Sequence, residues 1–471
     1  MEDLLTAEYR TIEAVKGPLV FVRHARRAAL GDLVTLEIPS NEIRSGQVIE
    51  ASEKWTIVQL FGPSDRISPG TTWVKFAEEG AHIALSPLIL GRIFSGSGEP
   101  LDSLPQVPPL ERRDVHGSAI NPVCRDLPTD FIQTGLSAID GLNTLVRGQK
   151  LPIFSCPGLP AGEIAAHLIS HACVPNEEGG FAVVFAAMGI SSREARFYLE
   201  TFESSGALEH SVIFMNLADD AVIERLLTPR FALAAAEYLA FDRNMHVLVV
   251  LCDMTHYCNA LREVSSSREE IPGRRGYPGY LYTDLAGIYE RAGRIKGRSG
   301  SVTQIPILTM PDDDITHPVP DLTGYITEGQ IVLDRRLHRK GIFPPIQVLP
   351  SLSRLMDRGI GEGRTREDHR PLADQLYACY ARGTDQRRVA SIIGEEALNE
   401  TDRMFLRFAE DFERGFVGQG VESRSISKTL DLGWRLLAAL PEAELVRVSK
   451  DLIRRYGAGG EEHGWTENQQ T

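Results

Sequence analysis

The sequence has few cysteines, no long apolar run and no excess of positive charge, and each absence excludes a class of protein. Its six cysteines lie without C-x-x-C spacing and are interpreted as reduced, mostly buried thiols of a cytosolic protein. No run of about 18 apolar residues could span a membrane. We expect no secretory signal, because the first residues do not combine a basic segment with an apolar one. The net charge of −14 argues against duplex nucleic acid as a partner, since neutralising phosphates needs excess Lys and Arg.

One cysteine pair needs separate mention. Cys252 and Cys258, with His256 between them, are close enough in sequence to form a metal cluster. However, Cys252 ends an apolar run, which favours buried packing over metal binding. We therefore predict no metal site here.

The length of 471 residues suggests about three domains at roughly 150 residues each. Residues 1–75 contain short apolar runs between turn residues, which predict a small closed β-barrel. Residues 76–371, which include a proline- and glycine-rich connection at 87–122, alternate apolar strands with helical stretches. This pattern predicts a parallel sheet with helices on both faces. Residues 372–456 are predicted to be a helical domain, and the polar, glycine-rich residues 457–471 a disordered tail.

Individual elements follow from apolar runs and helical periodicity. Phe405, Phe408 and Phe412 recur at three- and four-residue spacing and are expected in the core of the helical domain. A long helix is predicted at 223–242. The clearest predicted strands are residues 19–22, 33–38, 55–60, 181–185, 212–215, 247–252 and 305–308.

Residues 155–168 (SCPGLPAGEIAAHL) occupy the place of a phosphate-binding loop, between an apolar run and a helix-forming stretch. A working loop reads G-x-x-x-x-G-K-[ST], where backbone amides and the lysine hold phosphates and the hydroxyl binds magnesium. Aligned on Gly162, this chain has Pro157 for the first glycine, Glu163 for the lysine and Ile164 for the hydroxyl residue. The loop is therefore degenerate.

The exchange of lysine for glutamate changes the local charge by two. At ~4 Å and an effective dielectric of about 20, each unit charge is worth roughly 4 kcal/mol against a phosphate charge. We expect the loop, with Gly158 and Gly162, to keep its fold but not to support hydrolysis. Glu163 is interpreted as a favourable carboxylate in the first turn of a helix. Pro157 lacks a backbone donor, which makes even residual phosphate binding by this loop doubtful.

Two further positions bear on nucleotide chemistry. Asp253 follows the apolar run 247–252, the position of a Walker-B carboxylate that would hold magnesium through water. The alternative is a strand-end aspartate that caps a turn. After the run 181–185, no carboxylate appears before Glu194, so the glutamate that would orient an attacking water is also missing.

The segment 344–354 (PPIQVLPSLSR) ends in Arg354 after a serine-rich turn. Most isolated arginines in such places form salt bridges or lie on a helix surface. An arginine presented from a rigid turn is also the form of an arginine finger, which stabilises charge on a transferring phosphoryl group. Both interpretations remain open from these residues alone.

The segment 265–282 (SSSREEIPGRRGYPGYLY) is too long and too mixed in character for a simple connection. Arg274, Arg275 and Gly276 could face a partner subunit or a central shaft. A solvated loop is an equal alternative.

Five segments are distinctive when taken together: QTGLSAID at 133–140, LVRGQKLP at 145–152, Asp253-Met254-Thr255, GYPGYLYTDLAGIYERAG at 276–293 and LPSLSR at 349–354. With them, the chain resembles the B subunit of V-type and archaeal-type rotary ATPases over about residues 9–456. Departures from that family are Gln347, where Asn, Asp or His is usual, and Cys156-Pro157, where Gly-Ser is common.

The resemblance implies a β-barrel, a central α/β nucleotide-binding domain and a C-terminal helical bundle. It implies a non-catalytic subunit that alternates with a catalytic A subunit in a hexamer, with a central rotor shaft and peripheral stalk subunits as further partners. Arg354 would be a finger acting in trans. With Ser353 it would contact ATP or ADP and Mg²⁺ at the A/B interface, held mainly by the A subunit.

The same resemblance implies a place on the cytoplasmic face of a membrane, attached only through the complex. It places Gly158, Gly162 and Glu163 in a degenerate phosphate-binding loop and Asp253 at the Walker-B position. Whether the coupled ion is H⁺ or Na⁺, and whether the complex makes or hydrolyses ATP, is left open. Two rival functions are an independent homo-oligomeric ATPase with an atypical loop and a scaffold without nucleotide contact.

Overall fold

A computed structural model describes residues 7–23, 25, 28–39, 42–52, 54–61, 64–175 and 180–457. The first six residues of the predicted barrel and the predicted tail beyond Gly457 lie outside these ranges. The chain divides into two compact units. The first contains Met1–Asp126, Gly179–Met310 and Asp314–Ile326, and the second contains Leu127–Glu178, Pro311–Asp313 and Thr327–Thr471.

The N-terminal part of the first unit is a seven-stranded antiparallel sheet in the order β1-β7-β4-β5-β6-β3-β2. Its core consists of alternate apolar side chains, among them Val20, Val22, Val58 and Phe76, as expected for strands with one buried face. Three of these strands confirm the predictions at 19–22, 33–38 and 55–60. The strands are β1 (Ala7–Tyr9), β2 (Ile12–Lys16), β3 (Leu19–Arg23), β4 (Asp32–Glu37), β5 (Ile43–Ala51), β6 (Trp55–Leu60) and β7 (Trp73–Gly80).

The later strands are shorter on average and include every strand predicted between residues 181 and 308. They are β8 (His82–Leu85), β9 (Ile93–Ser95), β10 (Glu111–Asp114), β11 (Arg125–Asp126), β12 (Phe131–Ile132), β13 (Leu145–Val146), β14 (Ile153–Ser155), β15 (Phe181–Ile190), β16 (Ser211–Leu217), β17 (His246–Cys252), β18 (Gly293–Ile295), β19 (Ser301–Thr309), β20 (Gly329–Leu333) and β21 (Ile346–Ser353).

In the first unit, β19, β17, β15, β16 and β9 pair in that order as a parallel sheet. Every residue of β17 is buried, and β15 is buried over most of its length. Near-continuous apolar strands of this kind need cover on both faces, which confirms the predicted α/β arrangement.

Several helices begin at recognisable capping residues. Ser191 and Glu194 form a capping box at α3, and Asp253 caps α5. The helices are α1 (Ser137–Asp140), α2 (Ala161–His171), α3 (Ser192–Ser205), α4 (Val222–Glu237), α5 (Met254–Ser267), α6 (Leu281–Tyr289), α7 (Pro318–Ile326), α8 (Arg335–Arg339), α9 (Met356–Gly359), α10 (His369–Ile393), α11 (Glu400–Asp411), α12 (Ile426–Leu437) and α13 (Lys450–Tyr456). Within the described ranges, none is both long enough and apolar enough to cross a membrane.

The second unit contains the strands β14, β20 and β21 and the C-terminal helices. Strand β14 pairs parallel to β20, and β20 pairs antiparallel to β21. The predicted aromatic stripe is confirmed as core, because Phe405, Phe408 and Phe412 are all buried. This unit therefore carries both the degenerate loop, after β14, and Arg354, directly after β21.

Candidate functional site

The degenerate loop is held by a side chain of its own unit. A guanidinium nitrogen of Arg335 donates to the carbonyl of Pro157 at 2.9 Å. The same guanidinium forms a two-point ion pair with Asp313, at 3.1 and 2.9 Å. Burial, together with the carboxylate of Asp313, raises the pKa of the Cys156 thiol to about 11. Arg335 and Asp313 therefore lie beside the first residues of the loop, Cys156 and Pro157.

The backbone of the loop is also hydrogen-bonded internally. The N–H groups of Leu159 and Ala161 donate to the carbonyls of Cys156 and Leu159, at 3.0 and 2.8 Å. Glu163 lies exposed in the first turn of the helix that follows, as predicted for a carboxylate near a helix N-terminus. Phosphate binding by such a loop also uses a lysine, and here Glu163 occupies that position.

Asp253 stands at the end of β17, but its carboxylate is already engaged. One oxygen accepts from the N–H of Thr255 at 2.6 Å and from the N–H of Thr309 at 3.3 Å. The other accepts from the Thr309 hydroxyl at 2.5 Å. Asp253 is only 7% exposed. This is the arrangement of a strand-end cap.

The remaining carboxylate and cysteine candidates near these strands have structural partners. The Glu194 carboxylate accepts from the N–H and hydroxyl of Ser191 in the capping box. The His256 ring bonds the carbonyl of Met188 at 3.0 Å, and Cys252 lies 3.8 Å from the Tyr198 hydroxyl. Among the described residues, no group of three or more His, Cys, Asp and Glu is arranged to hold a metal ion.

Arg354 differs from all of these residues because its charge is not neutralised. Its backbone N–H donates to the carbonyl of Glu328 at 3.0 Å. Its guanidinium donates to the carbonyl of Thr327 at 3.3 Å, and the side chain is exposed. In the described part of the chain, no carboxylate lies within ion-pair distance of this guanidinium.

Arg354 lines an open depression of about 430 Å³ on the second unit. A second arginine there, Arg370, is paired with Asp357 at 2.6 Å and with Asp374 at 3.1 Å. Two partly exposed apolar side chains, Leu352 and Tyr377, also line the depression. The depression therefore combines one unpaired cation with an apolar rim.

Ser353 is buried, and its hydroxyl is used within the protein. It donates to the carbonyl of Thr144 at 2.8 Å and accepts from the amide nitrogen of Gln149 at 2.9 Å. The same amide nitrogen donates to the carbonyl of Glu328 at 3.2 Å. Ser353 therefore anchors the strand end that carries Arg354.

An ion pair with one buried partner supports the same strand end. The Lys150 ammonium lies 2.8 Å from the Glu328 carboxylate, which also accepts from the Lys150 N–H at 2.8 Å. The Lys150 side chain is only 4% exposed, whereas that of Glu328 is 29% exposed. The pair holds its two chain segments together, because separating them would leave the charge of Lys150 buried without a partner.

Arg354 and the degenerate loop lie towards opposite ends of strand β20 in the second unit. Ser353 pairs with Gly329 at the start of β20, whereas Phe154 pairs with Val332 near its end. Three residues along a strand correspond to about 10 Å. The Arg354 guanidinium also bonds Thr327, which precedes β20. Arg354 therefore lies at the end of β20 opposite to the loop of its own chain.

Sequence reasoning found Arg354 and Ser353 but not the groups that hold them. Gln149 and Lys150 belong to a segment that was noted only for its resemblance. Glu328 and Ser353, their partners, lie 178 to 204 residues further along the chain, and neither local pattern nor periodicity connects such segments. The signal in the sequence was the presence of two polar residues, Gln149 and Lys150, directly before an apolar run.

The loop at 265–282 is fixed at its two arginines. Arg274 forms an ion pair with Asp321 at 3.0 Å and donates to the carbonyl of Thr316 at 2.8 Å. Arg275 pairs with Asp314 at 2.7 Å. Ile271 in the same loop is 92% exposed. The loop is a held structure with a projecting apolar tip.

A β-sheet domain, a central α/β domain and a C-terminal helical domain, with a phosphate-loop position between β14 and α2, define the class of nucleotide-driven ring ATPases. Comparison with known families agrees. Residues 12–76 match the beta-barrel domain of the ATP synthase alpha/beta family, and residues 135–353 match its nucleotide-binding domain. Residues 358–457 match the C-terminal domain of V and A type ATP synthases.

A solved structure gives the same result. A unique ATP synthase subunit from Nanoarcheaum equitans, NeqB, is 40% identical to this chain, with a TM-score of 0.70. The match covers 91% of this chain and 99% of that one. The chain belongs to the ATP synthase alpha/beta family, in its V/A-type branch, and is a subunit of a rotary ATP synthase. The predicted resemblance and three-part fold are confirmed.

Proposed function

We propose that this chain is the non-catalytic, regulatory B-type subunit of a V/A-type rotary ATPase or ATP synthase. It contributes Arg354 to an active site held mainly by a neighbouring catalytic subunit. The observation that carries the proposal is the exposed guanidinium of Arg354, which lacks a carboxylate partner in the described part of the chain.

The chain's own loop supports the non-catalytic role. Pro157 and Glu163 replace the first glycine and the lysine, and Arg335 and Asp313 lie beside the first residues of the loop. The Asp253 carboxylate is satisfied by three donors. A site without a phosphate cation and without a free carboxylate for magnesium lacks the parts that hydrolysis needs.

Arg354 is suited to act on a nucleotide held by another subunit. It lies at the end of β20 opposite to its own loop, so we expect a phosphate near its guanidinium to be held by another subunit. A guanidinium presented from a fixed strand end stabilises the charge that develops on a transferring phosphoryl group. Such fingers are worth ~10³–10⁵ in rate, or roughly 4–7 kcal/mol.

In this proposal the nucleotide is ATP or ADP with Mg²⁺, bound at the interface with the catalytic subunit. The two subunit types alternate in a hexamer around a central rotor shaft, with peripheral stalk subunits outside. The complex sits on the cytoplasmic face of a membrane and couples ATP synthesis or hydrolysis to H⁺ or Na⁺ transport. The loop at 265–282, with its exposed Ile271, is a candidate surface for the shaft.

A turnover assay separates this function from an independent ATPase. The purified chain alone is expected to hydrolyse no ATP above background with Mg²⁺ present. Robust magnesium-dependent turnover by the chain alone would reject the non-catalytic assignment. Comparing Arg354→Ala with wild type in the assembled complex separates an active-site role from a scaffold, because a pure scaffold would lose nothing.

A further inference from the structure

We propose that Gln149 is a positioning residue for Arg354, acting through Ser353 and Glu328. These three residues are called the Gln149 cluster below. The inference rests on the proposed function of Arg354 as a finger. It assigns to the buried amide a role in setting where that finger stands, with no contact between Gln149 and the nucleotide.

Every polar group of the Gln149 side chain is hydrogen-bonded. Its side chain is fully buried. The amide oxygen accepts from the N–H of Val146 at 3.0 Å, and the amide nitrogen donates to Glu328 and Ser353. Both hydrogens of the NH₂ group are used, so the orientation of the amide is determined by its partners. A buried amide with this set of bonds is rigid.

The two bonds donated by Gln149 end at groups next to Arg354. Ser353 immediately precedes Arg354 in the chain. The Glu328 carbonyl accepts the backbone N–H of Arg354 at 3.0 Å as well as the amide of Gln149 at 3.2 Å. Gln149 therefore fixes the residue before Arg354 and also the acceptor that holds Arg354 itself. Any shift of Gln149 moves both.

The Gln149 cluster is also anchored by Thr144 and Lys150. The Ser353 hydroxyl donates to the carbonyl of Thr144, and the Glu328 carboxylate is paired with Lys150. The anchoring residues Thr144 and Lys150 flank Gln149 on the same short segment. One segment thus holds the strand end at several points, which is what a finger needs for a defined position. A displacement of about 1 Å at a catalytic group can cost about 100-fold in rate.

The test replaces Gln149 by methionine, which has similar length but no amide, in the assembled complex. We expect kcat for ATP hydrolysis to fall about 10- to 100-fold, while KM stays within about twofold. The variant would lose an interaction that is made only in the transition state, whereas binding of the ground-state nucleotide would be kept. A KM change with unaltered kcat would overturn the proposal, and so would wild-type kinetics.

Gln375→Met is the matched control. Gln375 is also buried, at 2% exposure, and also has three hydrogen-bond partners, the Cys379 thiol, the Glu444 carbonyl and the Arg447 N–H. It should lower thermal stability about as much as Gln149→Met while leaving kcat within about twofold. If both variants lowered kcat equally, the effect of Gln149 would be general destabilisation and the proposal would fail.

Two further variants keep the test decisive if Gln149→Met assembles poorly. Ser353→Ala removes only a hydroxyl and should lower kcat several-fold with KM unchanged, whereas a direct nucleotide contact by Ser353 would raise KM instead. In a double-variant cycle, Gln149→Met combined with Arg354→Lys should lose less than the product of the two single losses. Full multiplication would show that Gln149 acts independently of Arg354.

Failure of this inference is distinguishable from failure of the proposed function. If Arg354→Ala abolishes turnover and Gln149→Met does not alter it, only the positioning role is wrong. If Arg354→Ala itself has no effect, the finger assignment is wrong, and the role of Gln149 fails with it.

Discussion

Arg354 and Gln149 donate hydrogen bonds to the same acceptor, the backbone carbonyl of Glu328, at 3.0 and 3.2 Å. One bond comes from the main chain of an exposed arginine, and the other from a fully buried amide. Through this shared carbonyl, the interior of the second unit is linked to its one arginine finger candidate.

Gly329 should be intolerant of any side chain. It has a φ of +146°, and a Cβ built there would lie 2.1 Å from the carbonyl oxygen of Leu352 on the neighbouring strand. Gly329→Ala therefore forces β20 and β21 apart next to Arg354, and we expect a loss of about 1–3 kcal/mol in the free energy of unfolding. Chemical denaturation of the purified chain measures this loss.

Gly287→Ala is the control for that measurement. Gly287 lies within helix α6, and nothing lies within 4 Å of a Cβ built there. Alanine should stabilise this position by roughly 0.5–1 kcal/mol, because glycine is the poorer helix former. Equal effects of the two substitutions would contradict the close approach seen at Gly329.

Restoring the missing loop residues should not restore nucleotide binding. In Glu163→Lys combined with Ile164→Thr, the lysine and hydroxyl return, but Pro157 still lacks an N–H and Arg335 still bonds its carbonyl. Calorimetric titration of this variant with Mg-ATP should detect no binding up to millimolar nucleotide. Micromolar affinity would show that side-chain identity alone disabled the loop.

Stability should fall in mild acid because of His369. Its ring bonds the Gly141 carbonyl and the Thr365 hydroxyl, both at 3.0 Å, as a neutral imidazole. Burial lowers the pKa of His369 from 6.5 to about 4. The unfolded chain therefore takes up the proton first as the pH falls. The neutral His369 ring therefore contributes to the free energy of unfolding. This contribution is complete above pH 6.5 and decreases by up to about 3 kcal/mol as the pH falls towards 4.

Urea unfolding of wild type and His369→Gln at pH 7 and pH 4.5 tests this. The variant should be less stable at pH 7 but should lose less stability on acidification, since it lacks one group that binds a proton on unfolding. The same pH dependence in both proteins would mean that His369 does not titrate in this range. His167, whose pKa burial also lowers to about 4, should retain part of the effect in the variant.

The sequence predicted the strands well where burial dominates. Residues 247–252 form β17 almost as predicted, because a strand covered on both faces must be apolar throughout. The run at 181–185 was predicted too short. Ala186, Ala187 and Met188 are also fully buried, and their side chains carry little of the β-branched or aromatic character that marks a strand.

The site was predictable only in part. Arg354 stands out because it has the form of an arginine finger. The degenerate loop stands out because it departs from the phosphate-binding motif. The bonds from Gln149 to Ser353 and from Arg335 to Pro157 join segments far apart in the chain, and their existence depends on strand register. Register is set by packing of the whole sheet, which a single sequence does not display.

The most direct test of the account is ATP hydrolysis by the assembled complex with Arg354→Ala, beside Arg358→Ala as control. Arg358 is another exposed arginine, four residues further on. If Arg354 acts on a phosphate of the neighbouring subunit, its loss should reduce kcat by ~10³ or more with assembly intact, and Arg358→Ala should stay close to wild type. Retention of more than about a tenth of wild-type activity by Arg354→Ala would contradict the central claim.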